Sequence, residues 1–254
     1  MTSGGVGSSF GWMFRLTRHG WREMLIGSLV LAITAWGLGM VFWPLALIVV
    51  PVLIWLFAFF RDPDRKIPAE QLAVVSPADG KVSDITEIEH DELLGGPAVR
   101  VGIFLSVFNV HVNRSPCDGK VVSVVYKKGK FVNAMKHGEA SGQNESNTIV
   151  LAEPRGERNI VVVKQIVGLI ARRIVCSVTA GEFVERGSRI GMIKFGSRTE
   201  LTIAKWLEPR IRVEVGQNVR GAADVIAVLG NPIHTEKAAG MDEVERLAPR
   251  ETPA

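Results

Sequence analysis

The sequence predicts a mainly β, barrel- or sandwich-like domain that contains a lipoyl-like glycine-spaced hairpin and is preceded by an α-helical membrane hairpin. Three observations predict this fold class. Residues 24–60 form a run of 37 residues without a charged residue or a histidine. Beyond residue 68 the chain changes to short β-rich runs separated by glycine, proline, asparagine and aspartate. The alternation of strands with long helices that is typical of Rossmann and TIM-barrel folds does not occur.

The apolar run predicts two membrane helices after a basic N-terminal segment, residues 1–22. As one helix the run would reach about 55 Å, whereas the hydrocarbon core of a bilayer is about 30 Å thick. Pro44 lies near its centre and favours a break, with helices over 24–41 and 45–60 and a tight turn between them. A two-helix membrane hairpin is therefore expected over 23–61, and a kinked single span with a re-entrant half is the main alternative.

Basic residues flank the apolar run on both sides. They are Arg15, Arg18 and Arg22 before the run and Arg61, Arg65 and Lys66 after it. Because basic flanks favour the cytoplasmic side, both ends of the hairpin and the following domain are expected to face the cytoplasm at the inner membrane. A net charge of +4 suits either nucleic acid or anionic lipid, and the membrane segment favours lipid, so no nucleic-acid partner is predicted.

The β-rich domain is expected over 62–233, followed by a loose C-terminal tail over 234–254. Ten short strands are predicted, at 72–75, 81–88, 99–105, 121–126, 148–152, 159–167, 173–178, 201–203, 211–215 and 225–229. The stretch GEFVERGSRIG contains Gly181, Gly187 and Gly191, and the spacing of these glycines resembles that of the hairpins of lipoyl and biotinyl carrier domains. The spacing alone is a weak signal, because no lysine stands at the hairpin tip.

Three stretches contain side chains that could carry chemistry: SPADGKV at 76–82, FLSVFNVHVNRSP at 104–116 and MIKFGSRTEL at 192–201. Each has an ordinary explanation when taken alone. Asp79 fits a turn that faces water, His111 fits a satisfied strand histidine, and Ser197 fits a tight turn after a glycine. Ser197 also lacks the following glycine of a nucleophile elbow. Phosphate-loop and zinc motifs are missing from the sequence, so no metal site is predicted.

Taken together, these stretches resemble the phosphatidylserine decarboxylase family in its short, two-span membrane form. Further matching pieces are FFRDPDRKIP at 59–68, GQNESN at 142–147 and QIVGLIARRIV at 165–175. The resemblance runs from about Phe59 to Leu229, and the order and approximate spacing of the pieces agree with it. This combination is far more specific than any one motif.

The resemblance implies a carboxy-lyase that converts phosphatidylserine to phosphatidylethanolamine in phospholipid biosynthesis. It implies self-cleavage between Gly196 and Ser197 into a β chain, 1–196, and an α chain, 197–254, which remain together as a heterodimer. Further oligomerisation is left open. Ser197 would become a covalent pyruvoyl cofactor that forms a Schiff base with the substrate amine and accepts electrons as carbon dioxide leaves.

The resemblance also assigns roles to three side chains. Ser197 is the expected nucleophile of self-cleavage, His111 its base, and Asp79 the group that holds the imidazole. Longer family members have a second histidine where this chain has Arg114. Either His111 serves both cleavage and decarboxylation, or Arg114 perturbs a neighbouring base, and a lysine such as Lys130 or Lys136 could assist the lipid step.

Two other functions are compatible with parts of the sequence. A membrane-tethered lipoyl-like adaptor would use the glycine-spaced hairpin and the anchor, and it would remain one intact chain without a carbonyl cofactor. A membrane serine hydrolase would use Ser197, His111 and Asp79 and keep a free serine that reacts with acylating probes.

Overall fold

The computed structural model describes residues 15–131, 142–155, 158–168, 173–194 and 197–233. The apolar run forms two helices, α1 (Trp21–Val41), preceded by a 3₁₀ turn at Arg18–Gly20, and α2 (Val49–Phe59), preceded by a 3₁₀ segment at Trp43–Ile48. The break falls at Phe42, where the backbone is extended. Pro44 lies two residues further on and has no N–H with which to continue the hydrogen bonds of α1. The expected division into two helices is confirmed, although the second begins as a 3₁₀ segment.

Helix α1 exposes most of its apolar surface. Met24 is its buried residue, whereas Ile26, Leu29 and Trp36 are each more than half exposed. Together with the preceding turn, the segment 18–41 is long and apolar enough to cross a membrane, by length and composition. The second apolar segment, 43–59, is shorter. An exposed apolar surface of this extent is typical of a helix that contacts lipid.

The remaining described chain is mainly strand. Fourteen strands occur among the described residues: β1 (Ala73–Val75), β2 (Gly80–Asp91), β3 (Gly96–Leu105), β4 (Val112–Arg114), β5 (Gly119–Lys127), β6 (Ser146–Ala152), β7 (Asn159–Val167), β8 (Arg173–Cys176), β9 (Phe183–Val184), β10 (Arg189–Lys194), β11 (Ser197–Ala204), β12 (Arg210–Ile211), β13 (Asn218–Val219) and β14 (Val225–Val228). They form three antiparallel sheets, in the orders β1-β14-β12, β4-β10-β8 and β13-β2-β3-β11-β7-β6-β5-β9. The eight-stranded sheet curls into a half-barrel, which confirms the predicted mainly β, barrel-like fold class.

One face of the eight-stranded sheet forms the hydrophobic core. Leu201 and Ile203 of β11 are buried there with Val161 and Val163 of β7. Successive side chains of a strand point to opposite faces, so residues separated by an even number share a face. Ser197 therefore lies on the core side of β11, directed into the protein rather than towards solvent.

Every predicted strand overlaps an observed one, but β4 and β13 are not predicted by the sequence, and β9 and β10 are expected only as the arms of the glycine-spaced hairpin. Three of these have only two or three residues, too few for an alternating pattern. The glycine-spaced stretch also differs from expectation. Strand β9 pairs with β5, whereas β10 pairs with β4 and β8. The tight turn at Gly187, whose φ is +82°, therefore connects two sheets instead of closing the expected hairpin.

The base of the helix pair packs directly on the β domain. Phe59 and Phe60, at the end of α2, share a buried cluster with Met192 of β10. Two residues further along β10, the buried ammonium group of Lys194 contacts Glu23 of α1 at 2.5 Å. The strand that leads towards residues 195–197 is therefore fastened to the membrane-type helices by both apolar and ionic contacts.

Candidate active site

Ser197 is the first residue of β11, and the structure buries it completely. Strand β11 lies between β3 and β7, and Ser197 is paired with Leu105 on one side and Val167 on the other. Its hydroxyl oxygen is buried and has no hydrogen-bond partner among the described residues. A buried, unsatisfied hydroxyl costs free energy and commonly marks a reactive or strained site. The other residue of the predicted cleavage site, Gly196, lies outside the described residues.

His111 is also fully buried, immediately before β4. Its Nδ1 is 2.9 Å from the carbonyl oxygen of Asn109, and the Phe59 ring lies 4.3 Å from the imidazole, measured between ring centroids. A carbonyl oxygen can only accept, so Nδ1 is the protonated nitrogen of the neutral ring. The other nitrogen, Nε2, has no hydrogen-bond partner in the described part of the chain. It therefore presents a lone pair that can accept a proton.

Burial keeps the imidazole neutral. It lowers the pKa of His111 from 6.5 to about 4, and the nearby Arg61 guanidinium acts in the same direction, whereas the bond to Asn109 partly opposes them. A base must be unprotonated before it can take a proton, and this histidine is unprotonated throughout the neutral pH range.

The histidine and the serine are carried by adjoining segments. The N–H of Ile193 donates to the carbonyl oxygen of His111 at 3.2 Å. Ile193 shares a buried apolar cluster with Val167, the residue paired with Ser197. The tip of β10 therefore contacts both the histidine backbone and the neighbour of the serine. Strand β10 thus links the segment of the histidine to the segment of the serine, and both polar atoms are buried without a partner among the described residues.

Asp79 is placed differently from expectation. Its carboxylate accepts from the Arg65 guanidinium at 2.6 Å and from the backbone N–H of Gly221 at 2.7 Å. The expected contact with the imidazole does not occur among the described residues, because the Nδ1–H of His111 donates to the carbonyl oxygen of Asn109 instead. Burial raises the pKa of Asp79, and Arg65 and the Gly221 N–H oppose that shift. Arg61 is close enough for its charge to act on both Asp79 and His111, so the carboxylate partly balances the cation that faces the histidine.

Arg114 stands where the resemblance leads one to look for a second histidine. Its guanidinium is buried and donates to Asp62 at 2.6 Å and to the carbonyl oxygens of Pro63 and Gly187. These contacts fasten β4 to the segment that follows α2. The presence of an arginine at this position is therefore explained by these structural contacts, without an effect on the proposed base, His111.

The sequence does not single out Arg198, yet it is fully buried beside Ser197. Its guanidinium contacts Asp84 at 2.6 Å, Glu200 at 2.9 Å and the hydroxyl of Ser83. Buried charges persist only when they are paired in this way. The network lies on the face of β11 opposite Ser197 and anchors the start of the strand.

The buried histidine makes stability depend on pH. Between pH values of about 4 and 6.5 the unfolded chain binds a proton that folded His111 does not, so stability falls as the pH drops through that window. We expect the uncleavable Ser197→Ala protein to lose about 2 kcal/mol through this group between pH 7 and pH 5. Urea unfolding in detergent at both pH values measures this change in the free energy of unfolding, in the Ser197→Ala protein with and without an added His111→Gln substitution. The same pH dependence in both proteins would contradict the prediction.

The buried serine and the neutral histidine lie on a β scaffold that packs against an apolar helix pair, and the similarity of the chain to known proteins shows that it is a carboxy-lyase. A family model described as phosphatidylserine decarboxylase matches residues 52–227, a range that includes Asp79, His111 and Ser197. The chain belongs to the phosphatidylserine decarboxylase family.

Three similar proteins are each named phosphatidylserine decarboxylase proenzyme. The protein of Rhodopirellula baltica is 45% identical over 83% of this chain and 86% of its own length. That of Carboxydothermus hydrogenoformans is 45% identical over 73% of this chain and 84% of its own length. That of Burkholderia pseudomallei is 40% identical over 84% of this chain and 95% of its own length. The similarity therefore covers most of each protein.

Proposed function

We propose that this protein decarboxylates phosphatidylserine to phosphatidylethanolamine in phospholipid biosynthesis, using a pyruvoyl group that it makes from Ser197. The observation that carries the proposal is that the buried hydroxyl of Ser197 and Nε2 of neutral His111 both lack partners among the described residues, on segments that β10 links. The word proenzyme in the names of the relatives supports processing before activity. The cut falls between Gly196 and Ser197 and yields an α and a β chain that stay associated.

Self-cleavage uses groups that the chain itself supplies. His111 Nε2 accepts the hydroxyl proton as Ser197 Oγ attacks the carbonyl carbon of Gly196. The new C–O bond replaces the C–N bond, and the amide becomes an ester with a free amine on Ser197. Loss of the Ser197 α-proton then expels the ester carboxylate as the new end of the β chain. The remaining dehydroalanine reacts with water to give the pyruvoyl group and ammonia.

The surroundings of Ser197 fit a pyruvoyl group. The residue lies inside the protein, so bulk water is kept away from a reactive carbonyl. Its strand is paired along both edges, and Arg198 anchors it from the opposite face, so the new chain end keeps its place after the cut. When present, the group supplies an electron-withdrawing carbonyl that stabilises the charge left by departing carbon dioxide. His111 Nε2 can return to that carbon a proton that it has first accepted during the reaction, because its low pKa makes the protonated imidazole a ready donor.

The position of the site supports a lipid substrate. The imidazole of His111 packs against Phe59 at the end of α2, so the site adjoins the end of the apolar anchor. A cavity of about 350 Å³ beside the start of α1 is lined by Arg15, Arg18 and Arg189 together with Asp62. Its arginines favour an anionic phospholipid surface. With the basic flanks on the cytoplasmic side, the domain works at the cytoplasmic face of the inner membrane.

Intact-mass analysis of the purified protein, combined with a carbon dioxide release assay, tests the proposal. We expect two polypeptides split after Gly196, an α chain that resists N-terminal sequencing, and carbon dioxide from phosphatidylserine vesicles but not from phosphatidylglycerol vesicles. One intact chain without activity would favour the adaptor function. An intact chain whose serine is labelled by an acylating probe would favour the hydrolase.

A further inference from the structure

A row of buried polar side chains crosses the sheet beside Ser197. The amide of Asn147 on β6 donates to Gln165 on β7 at 3.0 Å, and Gln165 donates to Asn113 on β4 at 2.8 Å. Asn113 in turn donates to the hydroxyl of Thr199 on β11 at 3.1 Å. We call Asn147, Gln165, Asn113 and Thr199 the amide row. Each member is at most 3% exposed, so water does not replace these contacts.

The amide row joins two sheets whose described strands are not paired with each other by backbone hydrogen bonds. Strands β6, β7 and β11 belong to the eight-stranded sheet, whereas β4 belongs to the sheet of β4, β10 and β8. Asn113 is the connecting residue, because its side chain contacts both Gln165 and Thr199 across the boundary. It also reaches the carbonyl oxygen of Pro77, in the turn that carries Asp79, at 3.4 Å.

One end of the amide row lies close in sequence to the proposed reacting residues. Asn113 lies two residues after His111, and Thr199 lies two residues after Ser197 on the same face of β11. The contact between Asn113 and Thr199 therefore fixes the position of the histidine segment relative to the serine strand. Apolar side chains could fill this space without needing partners, but only a fully paired polar network specifies one relative position of the two sheets.

We propose that Asn113, Gln165 and Thr199 are positioning residues that hold His111 Nε2 against Ser197 Oγ for self-cleavage, an inference that rests on the proposed function. None of the three needs to touch the reacting atoms. Loss of a connection in the row lets the two sheets shift, and a displacement of about 1 Å can slow a positioned reaction by about 100-fold.

A pair of substitutions at Thr199 tests the role. Thr199→Val keeps the shape of the side chain and removes the hydroxyl, while Asn113 keeps Pro77 as an acceptor, so the fold is expected to persist. We expect Thr199→Val to slow self-cleavage about 10- to 100-fold and Thr199→Ser to restore most of the rate. The measurement is the rate of chain splitting during cell-free synthesis of the full chain into lipid vesicles. Gln165→Met, which interrupts the row one step further away, provides a second variant.

The controls separate positioning from stability. Thr202→Val removes a buried hydroxyl from the opposite face of the same strand and should split at the wild-type rate. Thermal unfolding of Thr199→Val and Gln165→Met in an uncleavable Ser197→Ala background reports whether they fold. The inference is overturned if both variants split at the wild-type rate, or if the slowing merely follows loss of folded protein. In either case the proposed function is unaffected as long as the wild-type chain splits. A wild-type chain that never splits would instead contradict the proposed function itself.

Discussion

A Ser197→Ala protein is expected to accumulate as one uncut polypeptide of about 27.7 kDa and to release no carbon dioxide from phosphatidylserine. Alanine has no hydroxyl, so the amide before residue 197 cannot become an ester, and without the ester there is no elimination and no carbonyl group. The substitution removes one buried oxygen that has no hydrogen-bond partner in the part of the chain that the structure describes, so the fold should tolerate it. Intact mass and the vesicle assay measure both losses.

Ser188→Ala is the matched control for this experiment. Gly187-Ser188 is a second Gly-Ser pair of the β domain, and the Ser188 hydroxyl oxygen is also buried without a partner. Its backbone, however, is held in a tight turn: the N–H of Ser188 donates to Glu185 at 3.0 Å, and its carbonyl oxygen accepts from Ser115 at 2.8 Å. We expect Ser188→Ala to split normally. Cleavage that continues in Ser197→Ala and stops in Ser188→Ala would show that Ser188, and not Ser197, is the nucleophile.

The parts of the fold that depend on local sequence could be predicted. The long uncharged run and Pro44 indicate the two helices, because both the membrane requirement and the helix break are local properties. Long strands such as β7 are equally clear, since six of its nine residues are isoleucine or valine, a composition typical of a buried strand. Ser197 and His111 could be named only through a resemblance spread over several motifs, because each residue alone fits an ordinary turn or strand.

The contacts between distant segments could not be predicted. Asp79 follows a common turn sequence, and nothing near it in the sequence indicates that Arg65 and the Gly221 N–H take both carboxylate oxygens. Burial of Arg198 is likewise unexpected for an arginine, and one of the counter-charges that make it favourable, Asp84, comes from a strand two places away in the sheet. Such pairings are properties of the assembled sheets and not of any single segment.

Substitution of His111 is also expected to have a large effect on the rate of self-cleavage. His111→Gln should slow chain splitting by about 100- to 10,000-fold, the usual contribution of a positioned general base. Glutamine is similar in size and polar, but its amide does not accept a proton from a serine hydroxyl at neutral pH. Full-length chains synthesised into lipid vesicles and sampled over time on a gel give the rate. His90→Gln, on an exposed part of β2, is the control and should split at the wild-type rate.

The pH dependence of splitting tests whether His111 acts as the base. Because the pKa of His111 is lowered to about 4, the neutral form dominates above about pH 5, and the wild-type rate should be flat from there through neutral pH. Below that range the rate should fall as Nε2 becomes protonated and can no longer accept the serine proton. The slow residual reaction of His111→Gln should lack this decline. If His111→Gln splits within a few-fold of the wild-type rate, another group accepts the proton, and burial of the imidazole beside Phe59 then serves packing alone.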